Sequence, residues 1–240
     1  MKTVDIIYRY GAQSEPARPR PMDADAARRR LDEGSRAFAT LIDGLADDRG
    51  ASSRVIHVDP QDLGLATGDK ASPRQRPYAA VLGCSDARVP IELIFSEGPN
   101  DLFVIRVAGN GLGSEVLGSL RYAVEHLGGS LKIVVVLGHS RCGAVSAAVD
   151  VFLEPARYLP LATSHSLRNI LDRLLVVVQS CAKRMQEIFG PDITRCPGYR
   201  VALVEMSIVI NAALAAYTVQ QELGRHNPGG IRAAYGAYLI

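Results

Sequence analysis

Two short stretches of the chain follow one plan. Val81-Leu82-Gly83-Cys84-Ser85 is followed by Asp86 and Arg88, and Val136-Leu137-Gly138-His139-Ser140 is followed by Cys142. Each is an apolar run that stops at a glycine and then presents a side chain able to bind a metal. Open α/β sheets bind ligands at the carboxyl ends of their parallel strands, so strands ending at Cys84 and His139 would bring two distant ligands to one sheet edge. Cys142 completes a Cys2His set, and three protein ligands leave a coordination position for water, as in catalytic rather than structural zinc sites. The residues therefore read as a zinc enzyme.

The rest of the pattern supports such a sheet. From Pro77 onward, the runs Tyr78 to Leu82, Leu102 to Val107 and Leu131 to Leu137 are apolar or β-branched and bounded by glycine or proline, which predicts buried parallel strands. Ser114 to Leu127 has helical apolar spacing and ends at Gly128-Gly129. Helices are further predicted over Cys142 to Phe152, Leu167 to Phe189 and Val201 to Leu223, and a last strand over Ile231 to Ile240 after a Gly229-Gly230 turn. Upstream, residues 1–20 show no periodicity and read as a loose arm. Asp23 and Asp25 precede a helical stripe through Leu31 and Leu41 that Gly34 and Ser35 interrupt, predicting two short helices or one kinked helix. Residues 46–76 read as a long connection in which Val55 to Val58 alone is strand-like. The expected organisation is an N-terminal arm and helix, residues 1–45, packing on a partner subunit, and one α/β zinc-binding domain, residues 46–240, with a mostly parallel sheet flanked by helices.

Composition removes several classes. A net charge of +2 gives no general attraction to nucleic acid, and the arginines from Arg18 to Arg36 read as the solvated side of a helix. Four cysteines are too few for a disulfide scaffold and fit a reducing compartment. Lys2 is followed by too short an apolar stretch for an export signal, so a cytoplasmic location is expected. Val201 to Val219 is apolar, but Glu205 and Asn211 interrupt it, and a packed helix rather than a membrane span is expected. Gly109-Asn110-Gly111-Leu112-Gly113 superficially resembles a dinucleotide loop. Ser114 stands where the third glycine should be, and no acidic residue follows at the proper distance. Cys181 and Cys196 lack metal-like partners, and His57, His126, His165 and His226 belong to no constellation.

Zinc held by two thiolates and a neutral imidazole has its formal charge cancelled, so its water needs help from neighbouring groups. Asp86 and Arg88 are placed to give it: an ionised Asp86 would accept the hydrogen of a zinc-bound hydroxide and aim its lone pair, and Arg88 would hold that carboxylate ionised.

Cys84-Ser85-Asp86-Ala87-Arg88 and Gly138-His139-Ser140-Arg141-Cys142-Gly143 resemble the two signatures of the β-class carbonic anhydrases. Leu31-Asp32-Glu33-Gly34, Phe103 through Asn110 and Tyr122 through Leu127 are similar to further stretches of that family. The resemblance implies reversible hydration of carbon dioxide to bicarbonate on Zn2+ held by Cys84, His139 and Cys142, with Asp86 and Arg88 as the catalytic dyad. It also implies a substrate pocket drawn from Gln75, Phe103, Tyr122 and Gly143, partly supplied by a neighbouring subunit, in a homodimer or dimer of dimers. Gln75 with the aromatic pair implies an open site in which Asp86 stays on Arg88. The same site could hydrolyse carbonyl sulfide or carbon disulfide, and a non-catalytic zinc-containing assembly subunit is a third reading. Three features depart from the family: Ala87 stands where serine is common, residues 149–197 form a longer segment, and the sequence stops at Ile240 where members usually continue.

Overall fold

The computed structural model describes residues 3–11, 19–45, 52–64, 73–161, 163–224 and 230–240. Arg18, His226, Gly229 and two stretches of the 46–76 connection lie outside the described residues.

A four-stranded sheet in the order β4-β3-β5-β6 carries the fold, with β3 at Ala79–Gly83, β4 at Leu102–Arg106, β5 at Ile133–His139 and β6 at Arg232–Tyr238. All neighbours are parallel. Every residue of β3 and β5 is buried, which explains why these two strands are uninterrupted apolar runs: helices cover both faces. Side chains alternate between faces. Ala80, Leu82, Val134 and Val136 meet α3 (Ser114–Leu127) and α7 (Tyr199–Gly224). Ala79, Val81, Ile133, Val135 and Leu137 meet α1 (Ala24–Asp43) and α2 (Ile91–Ile94). The predicted strands are thus present, each shifted by one or two residues at its ends.

Two upstream expectations are corrected. Residues 1–20 are not wholly a loose arm, because Val4–Tyr10 forms β1, paired in parallel with β2 at Ser52–Val58. Hydrogen bonds to a partner strand more than forty residues away settle that segment, and no local pattern announces them. The interrupted stripe is one continuous helix, α1, started by Asp23, whose side chain accepts from the Ala26 N–H at 2.7 Å. Gly34 is there for packing: a Cβ built on it would lie 1.8 Å from the Phe95 carbonyl oxygen. Ala27 and Leu31 bury against this chain's own sheet. Arg30, on the same face, makes a bidentate ion pair with the fully buried Glu97, which also accepts from the Tyr78 hydroxyl at 2.9 Å.

Residues 149–197 contribute a helical layer. α4 (Gly143–Leu153) and the short α5 (Tyr158–Leu161) lead into α6 (His165–Phe189). α6 buries Leu171, Leu174, Val178, Cys181 and Met185 in a cluster shared with α4 and α7. α7 is long and apolar enough to cross a membrane on composition alone. Its residues Leu203, Ile208, Ala212 and Val219 are buried within this fold, as expected of a packed helix.

Candidate metal centre

The register of β3 on β5 pairs Gly83 with Leu137, so Cys84 and His139 leave the sheet side by side at its carboxyl edge. The glycine before each ligand is a matter of close approach. A Cβ on Gly83 would come within 2.6 Å of Ile91 Cδ1, and one on Gly138 within 3.3 Å of the Ile208 carbonyl oxygen of α7. A tight turn then brings Cys142 back at the start of α4, and Arg141 within it takes a left-handed φ of 56°. That strained residue is held from both sides: Glu205 accepts from its N–H at 3.2 Å, and Arg88 donates to its carbonyl at 3.4 Å. β6 braces the same turn, since the Ser140 N–H reaches the Tyr238 carbonyl at 2.9 Å and Ser140 Oγ accepts from the Ile240 N–H at 2.8 Å.

Cys84 Sγ, Cys142 Sγ and a His139 ring nitrogen all lie within 4.8 Å of one another, and all three residues are buried. The two sulfurs are 3.9 Å apart. Tetrahedral zinc with bonds of ~2.3 Å to sulfur sets two thiolates roughly 3.8 Å apart, so the spacing fits. His139 Nδ1 donates to the Ser140 carbonyl at 2.9 Å, which fixes the proton there and leaves the Nε2 lone pair bare. That Nε2 is fully buried with no hydrogen-bond partner among the described residues. A buried, unsatisfied acceptor facing two thiols is what a metal ligand looks like without its ion. The thiols point the same way. Cys84 is pushed well below the usual thiol range, chiefly because Cys142 donates to it, then by the neighbouring His139 ring and by the backbone N–H groups of Gly109 and Asp86, while the same contact with Cys84 holds Cys142 up. Two thiolates this close repel, and a divalent cation between them lets both ionise.

Asp86 lies beside this cluster, its Oδ2 3.9 Å from His139 Nε2. Arg88 grips it with Nε on Oδ1 at 3.0 Å, NH2 on Oδ2 at 2.7 Å, and its backbone N–H on Oδ1 at 2.9 Å. The Arg88 hydrogen bonds hold the Asp86 carboxyl well below the usual carboxylate range. The structure therefore brings together five of the nine residues the sequence singles out, with Gly143 exposed at the helix start beside Cys142. It does not gather the other three into this cluster within one chain. Gln75 is exposed ahead of β3, Phe103 packs on the α3 side of the sheet, and Tyr122 is 48% exposed on α3, stacked on His126.

Four supporting residues escape sequence reasoning. Arg106 donates from Nε to the Cys84 carbonyl at 3.1 Å and from NH2 to the Asp86 carbonyl, fixing the first ligand loop. Gly109 aims its N–H at Cys84 Sγ, 3.4 Å away. Glu205 and Asn211 reach in from α7, the latter donating to the Gly109 carbonyl at 2.8 Å. The signal for these last two was present as the polar interruptions of an otherwise apolar helix.

The sequence pattern of the carbonic anhydrase family matches residues 79–208, more than half of the 240-residue chain. Carbonic anhydrase 2 of Mycobacterium tuberculosis is 49% identical over 86 residues, 36% of this chain and 38% of that protein. A carbonic anhydrase of Mycolicibacterium smegmatis is 48% identical over 138 residues, 58% of this chain and 61% of that one. The chain thus spans less than two thirds of the length of these relatives. A solved Coccomyxa β-carbonic anhydrase, in complex with acetazolamide, is 22% identical with a TM-score of 0.48, covering 90% of this chain and 79% of that one, a likeness too distant to bear on the site. Because the family pattern runs from the start of β3 into α7 and brackets both ligand loops, the chain belongs to the carbonic anhydrase family, in its β class.

Proposed function

We propose that this chain is a zinc-dependent carbonic anhydrase, interconverting carbon dioxide and water with bicarbonate and a proton. The observation that carries the reading is the three-ligand cluster of Cys84, His139 and Cys142 with Asp86 held off it by Arg88. When bound, zinc would supply the Lewis acid that makes a water nucleophilic near neutral pH. The chain's own groups do the rest. An ionised carboxylate only accepts hydrogen bonds, so Asp86 orients the reacting water with its hydrogen on the carboxylate and its lone pair toward the substrate carbon. Arg88 keeps Asp86 charged and stationary, and that double role needs the fork of a guanidinium. Carbon dioxide carries no charge to capture, so apolar walls and a few donors suffice to hold it.

The residues assigned to the substrate pocket by family resemblance, Gln75, Phe103 and Tyr122, do not surround the ligands of their own chain. The exposure of Gln75 and Tyr122 supports a pocket completed across a homodimer, with Tyr122 offering its ring to a second copy. A homodimer or a pair of dimers is accordingly the assembly we propose.

The test is stopped-flow carbon dioxide hydration by the zinc-loaded protein from about pH 6 to about pH 9.5, beside Cys84→Ser and Asp86→Ala. The expected result is activity that rises with pH, is lost in Cys84→Ser and falls by about 100-fold or more in Asp86→Ala. A zinc-loaded protein silent toward carbon dioxide at every pH refutes the reading, and turnover of carbonyl sulfide in its place would reassign the substrate.

A further inference from the structure

We propose that Asn211 is a positioning residue of the metal centre: through Gly109 it keeps a backbone N–H aimed at the sulfur of Cys84. The inference rests on the metal-centre reading and extends it to a helix outside the ligand loops.

Asn211 sits half-buried on α7 and donates from Nδ2 to the Gly109 carbonyl at 2.8 Å. Gly109 in turn points its own N–H at Cys84 Sγ across 3.4 Å. The backbone between these two contacts is unusual. Gly109 has a φ of 64° and Asn110 one of 44°, two successive left-handed residues. A non-glycine residue in that conformation persists only where its surroundings enforce it. Here they do so from three helices. A Cβ on Gly109 would meet Leu174 Cδ1 of α6 at 3.1 Å and the Ala144 Cβ of α4 at 3.3 Å, while α7 supplies the hydrogen bond. Packing from α4 and α6 excludes a bulkier residue but does not orient the peptide. The 109–110 peptide is held at both ends: its N–H, that of Asn110, donates to the Val107 carbonyl at 3.0 Å, and its carbonyl accepts from the Asn211 amide, which ties this turn, and with it the Gly109 N–H, to α7.

The consequence falls on the ligand. A thiolate that accepts an N–H spreads less charge onto its metal, and groups that orient a ligand typically change metal affinity by about 10–100-fold when removed. The 149–197 segment gains a role by the same argument, because its helix α6 supplies one wall of the cradle through Leu174.

Cobalt(II) in place of zinc makes the sulfur visible through its thiolate-to-metal charge-transfer band. Asn211→Leu keeps the approximate volume and removes the donor. It is expected to shift that band to longer wavelength, because an unbonded sulfur is a stronger electron donor, and to weaken cobalt binding about tenfold or more. Asn211→Gln, which retains an amide, should restore part of both, and Val209→Ala on the exposed side of the same helix should change neither. A band and an affinity unchanged in Asn211→Leu, with only a lower melting temperature, would make Asn211 a packing residue and overturn the proposal. Should Asn211→Leu not fold, Asn211→Ser removes the amide with less disturbance and carries the same expectations. Wild-type protein that binds no cobalt refutes the centre itself. Protein that binds cobalt but does not hydrate carbon dioxide refutes only the proposed reaction, and the spectral comparison still decides the role of Asn211.

Discussion

Replacing Gly34 with alanine sets two physical arguments against each other with opposite signs. Glycine in the interior of a helix is worse than alanine by about 1 kcal/mol, so helix propensity alone makes Gly34→Ala stabilising. The packing of α1 makes it destabilising. The new methyl carbon would stand 1.8 Å from the Phe95 carbonyl oxygen and 2.7 Å from its carbon, and both are backbone atoms with no rotamer to escape into. Relief requires the helix to retreat by more than an ångström. That retreat strains the contact in which Ser96 Oγ donates to the Gly34 carbonyl at 2.9 Å, one turn from the Arg30 guanidinium that pairs with buried Glu97.

Forcing a group into a filled interface costs about 1–3 kcal/mol, and a clash against backbone belongs at the upper end. The serine hydrogen bond adds about 1 kcal/mol. Set against the propensity gain of about 1 kcal/mol, the net is a destabilisation of about 2–3 kcal/mol. For a chain of this length each kcal/mol moves the melting temperature by about 2–4 °C, so a drop of roughly 5–10 °C is expected. Thermal unfolding should be followed by far-UV circular dichroism on both proteins at one concentration and one zinc activity, since metal binding and subunit association each raise apparent stability. A melting temperature equal to or above that of the wild type would show that α1 and the Phe95 turn are not in contact, and the reasoning would fall with it.

Glu97→Gln removes the charge that neutralises buried Arg30, whose remaining carboxylate is Asp101 at 3.2 Å, and should cost about 3 kcal/mol, read as a lower urea midpoint with unchanged slope. Chelation of the proposed zinc should lower the melting temperature, because a metal held by this cluster stabilises the folded chain alone, and zinc affinity measured by competition should fall as pH falls, because protons compete for both thiolates and the imidazole. Asp150→Asn breaks the bidentate Arg200 contact between α4 and α7, at 2.6 and 2.9 Å. Since the Arg200 hydrogen bonds lower the Asp150 pKa, its contribution is present above the ordinary aspartate value and lost as pH falls through the depressed folded value. With Arg200 half exposed the wild-type advantage should be under about 1 kcal/mol at neutral pH and vanish in strong acid, and an advantage that grows on acidification would contradict the assignment.

What the sequence discloses and what it conceals divide along the range of the interaction. The strands β3 and β5 and the candidate ligands gathered at their ends were legible because burial on both faces writes itself into consecutive residues, and because cysteine and histidine carry their chemistry in their identity. β1 was not, since seven residues of mixed character become a strand only through a partner far along the chain. Glycine shows the limit most clearly. Gly34 read as a helix breaker, Gly83 and Gly138 as ends of runs, and Gly109 as part of a failed nucleotide loop. In the structure Gly34 stands where a backbone carbonyl leaves no room for a side chain, Gly83 and Gly138 are closely approached by Ile91 and Ile208, and Gly109 is a left-handed residue aiming an amide at a candidate metal ligand. Composition cannot separate these cases, because each is decided by a neighbour that is remote in sequence. The polar breaks in α7 follow the same rule with a more useful corollary. Glu205 and Asn211 interrupt a helix that is otherwise apolar enough for a membrane; Glu205 accepts from the turn that carries Arg141 and Cys142, and Asn211 donates to Gly109 in the loop after β4 that faces Cys84. A polar residue on the packed side of an apolar helix must be satisfied by something. In a chain whose ligand loops contain left-handed turns with exposed peptide groups, those turns are where the partner should be sought.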